Sequence, residues 1–185
     1  MKKGINELGC HIIKPKIYTD NRGYFFESYN KANLKKYGIS TNFVQDNESF
    51  STKNVLRGLH FQVPPSAQAK LVRVTYGKVL DIAVDIRANS LTFGDYCSVI
   101  LSDKNKKQLF IPKGYAHGFV VLSDKARFCY KCDTYYDPKS ERGIRWDDPD
   151  LEIDWKISKE EALISDKDSI LPKFSDCTFI NNLNW

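Results

Sequence analysis

Lys70-Leu71-Val72-Arg73-Val74-Thr75-Tyr76-Gly77-Lys78 is the stretch that decides the fold class. β-Branched and aromatic residues dominate it in strand-like alternation, and Tyr76-Gly77-Lys78 turns the chain into a second apolar run over 79–86. The alternation puts Lys70 on one face with Val72 and Val74, and Leu71, Arg73 and Thr75 on the other. An amine on an apolar face costs desolvation, so it needs a partner or a task. Working outward, similar runs fall at 11–18, 24–29, 43–50, 55–62, 96–101, 108–111, 119–122 and 127–133, punctuated by turn signals such as Asp20-Asn21-Arg22-Gly23. The spacing predicts an all-β protein, a double-sheet β-sandwich or barrel with a few short helices. One helix is expected from Asn30 as N-cap through Leu34 to Gly38 as left-handed C-cap, and another over 158–163.

The chain has 185 residues, 42% of them hydrophobic, which fills one core, and a single domain over 1–185 is expected. A net charge of +5 comes from lysines scattered through turns, a pattern that argues against a nucleic-acid arm and leaves room for attraction of an anionic small molecule. Met1-Lys2-Lys3-Gly4-Ile5-Asn6-Glu7 lacks the apolar core of a signal peptide, and no stretch approaches a membrane span. A cytoplasmic protein without a membrane partner is expected. The odd count of 5 cysteines then reads as free thiols in a reducing compartment. Cys129 and Cys132 have the spacing of a zinc or redox pair, but positions i and i+3 of a strand face opposite ways and no second pair exists. Asn47-Glu48-Ser49 matches a glycosylation sequon, which has no meaning in the cytoplasm.

Of the 3 histidines, one lies in Arg57-Gly58-Leu59-His60-Phe61-Gln62 and another in Ile111-Pro112-Lys113-Gly114-Tyr115-Ala116-His117-Gly118-Phe119. A proton beside a ketone is removed readily only if a base reaches it and a positive group stabilises the enolate. His60 suits the base and Lys70 the stabiliser. Tyr130, on one strand face with Phe128 and Cys132, suits the acid that returns a proton from the other side. Ser165-Asp166-Lys167-Asp168 offers a carboxylate to fix the His60 tautomer, either Asp166 or Asp168. Taken singly, each of these residues also reads as ordinary packing. Strict alternation would set Arg57 and His60 on opposite faces, so a bulge at Gly58 is predicted. Small jelly rolls often hold a metal between two closely spaced histidines, a carboxylate and a later histidine. Gln62 stands where the second histidine would be needed, leaving His60 and His117, and no catalytic metal is expected.

Read together, these segments resemble the dTDP-4-dehydrorhamnose 3,5-epimerases, cupin-like jelly-roll enzymes of dTDP-L-rhamnose synthesis. The likeness runs from Asp20-Asn21-Arg22-Gly23-Tyr24-Phe25-Phe26-Glu27 through Gln45-Asp46-Asn47-Glu48-Ser49, the segments around His60, Lys70 and His117, Asp85-Ile86-Arg87, Thr92-Phe93-Gly94, Tyr130-Lys131 and Glu141-Arg142-Gly143 to Asp168. It implies a cofactor-free inversion of C3 and C5 of dTDP-4-dehydro-6-deoxy-D-glucose. His60 would accept protons with Asp168 behind it, Tyr130 would donate, and Lys70 would stabilise the enolate and touch the substrate. Arg22, Glu27, Gln45, Asn47, Arg57, His117, Glu141 and Lys167 would contact the dTDP-sugar. The resemblance also implies a homodimer that exchanges N-terminal strands, so that Arg22 and Glu27 serve the partner's site. Leu91, Lys113 and Tyr115 depart from the family pattern, outside the proton-transfer set. A C3-only epimerase, a 3,4-ketoisomerase and a non-catalytic sugar-nucleotide binding module stay open, as do the nucleotide base, the downstream glycan and the source of the C3 proton.

Overall fold

The computed structural model describes residues 8–185; residues 1–7, which carried the signal-peptide reading, lie outside the described residues. One five-stranded antiparallel sheet has the order His11–Ile13 (β1), Gln108–Ile111 (β9), Lys70–Tyr76 (β6), Lys125–Cys132 (β11) and Gln45–Thr52 (β4). The other, also five-stranded, runs Glu141–Gly143 (β12), Leu56–Gln62 (β5), Tyr115–Val121 (β10), Lys78–Asp85 (β7) and Tyr96–Ser102 (β8). A separate hairpin joins Tyr18–Asp20 (β2) to Gly23–Phe25 (β3). This is the all-β, cupin-like jelly roll that the spacing and the resemblance together led us to expect. Gly77, at φ +78, does not close a hairpin; it carries the chain from β6 in one sheet to β7 in the other.

Val72, Val74 and Phe128 from the first sheet meet Val79, Ala83, Phe119 and Val121 from the second. The alternate residues of β7, Leu80, Ile82 and Val84, pack beneath Trp146, Leu151, Trp155 and Ile180 of the C-terminal segment. β7 is therefore buried on both faces, which explains why its run is apolar apart from the buried Asp81 and the terminal Lys78 and Asp85.

Gly58 lies in the predicted bulge. His117 pairs with His60 and Phe119 with Arg57, so Gly58 and Leu59 together oppose Gly118 alone. Gly58 has φ +121, and a Cβ there would sit 2.6 Å from the Gly118 Cα. The bulge resets the parity: Arg57 reaches Ser51 on the facing sheet (Nε to Oγ 3.2 Å), and His60 turns toward the same inter-sheet space.

Asn30 caps Lys31–Leu34 (α1) by accepting from the Ala32 and Asn33 N–H groups at 3.0 and 3.2 Å, and Gly38 ends the following turn at φ +74, as predicted. The helix expected over 158–163 is absent. Leu163 instead donates to the Asn54 carbonyl and accepts from the Leu56 N–H, both at 2.9 Å, so its backbone is committed to a bridge beside β5. The nearby helix is Asp166–Ser169 (α2), where Ser165 Oγ accepts from the Asp168 N–H at 3.1 Å. The run at 11–18 breaks at Pro15 into β1 and β2, and the strand expected at 119–122 starts at Tyr115, which puts His117 inside β10. No helix among the described residues is long and apolar enough to cross a membrane.

Candidate active site

A cavity of about 230 Å³ opens between the sheets. β4 contributes Gln45 and Asn47, β5 contributes His60, β6 Lys70, β11 Tyr130 and Cys132, and β12 Glu141. The base, the amine and the phenol singled out by their chemistry thus share one wall-to-wall space.

His60 Nε2 lies 2.7 Å from Asp168 Oδ1, and the other Asp168 oxygen accepts the Gly58 N–H at 3.2 Å. Asp168 is buried while Asp166 is exposed, so the carboxylate left open between the two is Asp168. Burial pushes the Asp168 carboxyl up, but the His60 hydrogen bond, its charge and the Gly58 N–H outweigh that, and the net shift is down. An ionised Asp168 accepts from Nε2–H, which leaves the lone pair on Nδ1 as the basic site.

Lys70 stands opposite Cys132 in the strand register, with Nζ 5.9 Å from the Tyr130 ring centre. Burial lowers its pKa, and the sites of Cys132, Asp81 and Glu141 partly restore it. Burial also raises the Tyr130 pKa, which keeps the phenol protonated and able to donate, while the Arg57 charge works against that rise. Cys132 is pushed up to about 11, mainly by burial, and stays a neutral thiol.

His117 sits deeper than the notion of a direct contact implies. Its Nε2 lies 3.0 Å from buried Asp81, its ring stacks on Phe128 at 5.9 Å, and it does not line the cavity. Burial drives both members of this pair toward their neutral forms. At the mouth, Lys167 Nζ lies 2.5 Å from Glu141 Oε2, and Tyr136 donates to the same oxygen at 2.7 Å. Arg22 and Glu27 are not brought to this cavity: Arg22 pairs with Asp20 on the β2–β3 hairpin, and Glu27 accepts from Asn30 and Asn33. Tyr136, Gln68 and Cys132 line the cavity but were not singled out from sequence as site residues. Tyr136 follows β11 outside any strand, where no periodicity marks it.

Compared with known proteins, residues 6–176 match the family model described as dTDP-4-dehydrorhamnose 3,5-epimerase. A relative of that name from Methanothermobacter thermautotrophicus is 51% identical over 161 residues, covering 86% of each chain. One from Escherichia coli is 52% identical over 161 residues, again 86% of each. A crystal structure of dTDP-6-deoxy-D-glucose-3,5-epimerase from Legionella pneumophila, in complex with dTDP-4-keto-L-rhamnose, superimposes with a TM-score of 0.88 at 49% identity, covering 95% of this chain and 92% of that one.

Proposed function

This chain belongs to the dTDP-4-dehydrorhamnose 3,5-epimerase family, and we propose from that premise that it inverts C3 and C5 of dTDP-4-dehydro-6-deoxy-D-glucose to give dTDP-4-dehydro-L-rhamnose. The observation that carries this reading is the His60–Asp168 pair at 2.7 Å, set against a cavity shared with Lys70 and Tyr130. His60 Nδ1 removes a proton from a carbon beside the C4 ketone, and the electron pair moves onto the ketone oxygen. Lys70 stabilises the enolate by charge and hydrogen bonding. Tyr130 returns a proton to the opposite face of at least one centre, and collapse of the enolate leaves that centre inverted. Asp168 holds the imidazole tautomer and stabilises the imidazolium.

Gln45, Asn47 and Glu141, which line the cavity, serve as contacts to the dTDP-sugar together with Lys167, paired with Glu141, and Arg57, the cations being suited to its diphosphate. His117, which does not line the cavity, supports the site from beneath through its pairing with Asp81 and its stacking on Phe128 rather than by touching the substrate. Arg22, in the β2–β3 turn, and Glu27, just beyond β3, complete the site of a second copy in a homodimer, since neither lines the cavity of its own chain. The 185 residues form one domain that works in the cytoplasm without a cofactor. Product NMR in deuterated water tests the reading: deuterium at both C3 and C5 of a rhamno-configured product is expected. Label at one carbon would make it a C3-only epimerase, a migrated ketone a ketoisomerase, and binding without exchange a non-catalytic module.

A further inference from the structure

Residues 134–137 belong to no strand or helix, yet four of their backbone groups are held by side chains. Gln68 Nε2 donates to the Thr134 carbonyl at 2.7 Å, and Gln62 Nε2 donates to the Tyr135 carbonyl at 3.3 Å. The Tyr136 N–H donates to Gln45 Oε1 at 2.9 Å, and the Asp137 N–H to Gln62 Oε1 at 2.8 Å. Three glutamines from three parts of the chain thus grip consecutive peptide groups on both sides of Tyr136. A segment with no ladder has to find partners for its polar backbone, and here the cavity wall supplies them. Gln62 does most: it is 4% exposed, and its second N–H reaches the Ser66 carbonyl at 2.6 Å, so its carboxamide ties two loops to the end of β5.

We propose that Gln62, assisted by Gln45 and Gln68, is a positioning residue that fixes Tyr136 as a rigid wall of the sugar pocket. Only a carboxamide offers two donors and an acceptor in one plane; a glutamate at 62 would set its own lone pairs against the Ser66 and Tyr135 carbonyls. The position where metal-binding jelly rolls place a histidine is here given to a loop clamp. The inference rests on the epimerase reading above, and wild-type turnover tests that reading separately.

The experiment is a double-mutant cycle of Gln62→Glu and Tyr136→Ala on the full chain, read as kcat/KM, together with amide hydrogen exchange of residues 134–137. Gln62→Glu is expected to lower kcat/KM roughly tenfold, the size of one lost buried hydrogen-bonding group, and to speed exchange at Tyr136 and Asp137. In the Tyr136→Ala background the glutamate should cost nothing further, because the residue it positions has gone. Fully multiplicative losses, or unchanged amide protection, would overturn the clamp. Amide exchange reads the clamp even if turnover is absent. Should Gln62→Glu not fold, Gln68→Met frees only the Thr134 carbonyl, and both readouts should move in the same direction by less.

Discussion

At the scale of the residue, the chemistry of the site reduces to which nitrogen of His60 is free. Asp168 holds one side of the ring at 2.7 Å, and its own anionic form is favoured by the Gly58 N–H, so the free lone pair faces away from it. Asp168→Asn should therefore lower turnover by about 10²-fold or more, since the amide can present an N–H to the ring and favour the wrong tautomer, and should also lower the melting temperature at neutral pH, because the stabilising buried carboxylate is lost. Steady-state kinetics beside a thermal melt checks this. Tyr130→Phe separates the two half-reactions. It should keep exchange of substrate protons with deuterated solvent and lose inversion by about 10²-fold, because base and enolate stabiliser stay in place while the acid is gone. Scarcity made His60 legible in sequence, and chemical type with strand-face position did so for Lys70 and Tyr130. The choice of Asp168 over Asp166 was not, because it depends on which side of a one-turn helix meets β5.

Among the elements, β5 matters most, and its bulge was legible because parity demanded it. Two glycines meet there: a Cβ on Gly58 would lie 2.6 Å from the Gly118 Cα, and one on Gly118 would lie 2.7 Å from the Arg57 carbonyl oxygen. Gly58→Ala should destabilise the fold by about 2–3 kcal/mol, through overpacking and a positive φ that alanine disfavours, with activity lost in step. Denaturant titration measures the first and kcat the second; a fully stable, fully active variant would contradict the role given to the bulge. The alternation in β6 and the cap chemistry of α1 were readable for the same reason, since each is local. The 158–163 segment misled because its helical composition loses to a pairing of Leu163 with residues more than a hundred positions earlier, which composition does not encode.

For the whole molecule, the C-terminal segment behaves as a third layer that covers the second sheet and delivers Asp168 to His60. Nothing in its periodicity marked it as such, because its buried Trp146 and Trp155 come from irregular backbone and Ile180 from a short 3-10 helix, Thr178–Asn182. Arg145 and Lys159 both clasp Asp147, at 2.7 and 2.5 Å, and the Arg145 hydrogen bond is the main reason its pKa falls to about 2 from an ordinary 3.8. A depressed carboxyl pKa stabilises the fold fully above the unfolded value, and the benefit fades as pH falls through the folded one. Asp147→Asn should thus be less stable than wild type at neutral pH, with the gap closing between about pH 4 and pH 2. Melting temperatures across that range decide it, and a gap that widened in acid would refute the sign.

The most direct test of the central claim, that His60 draws protons from a ketosugar inside the shared cavity, is solvent-deuterium uptake by His60→Asn compared with wild type under conditions where both bind dTDP. The account expects uptake at C3 and C5 with the wild-type chain and none above background with the variant. Uptake by the variant at the wild-type rate would contradict it.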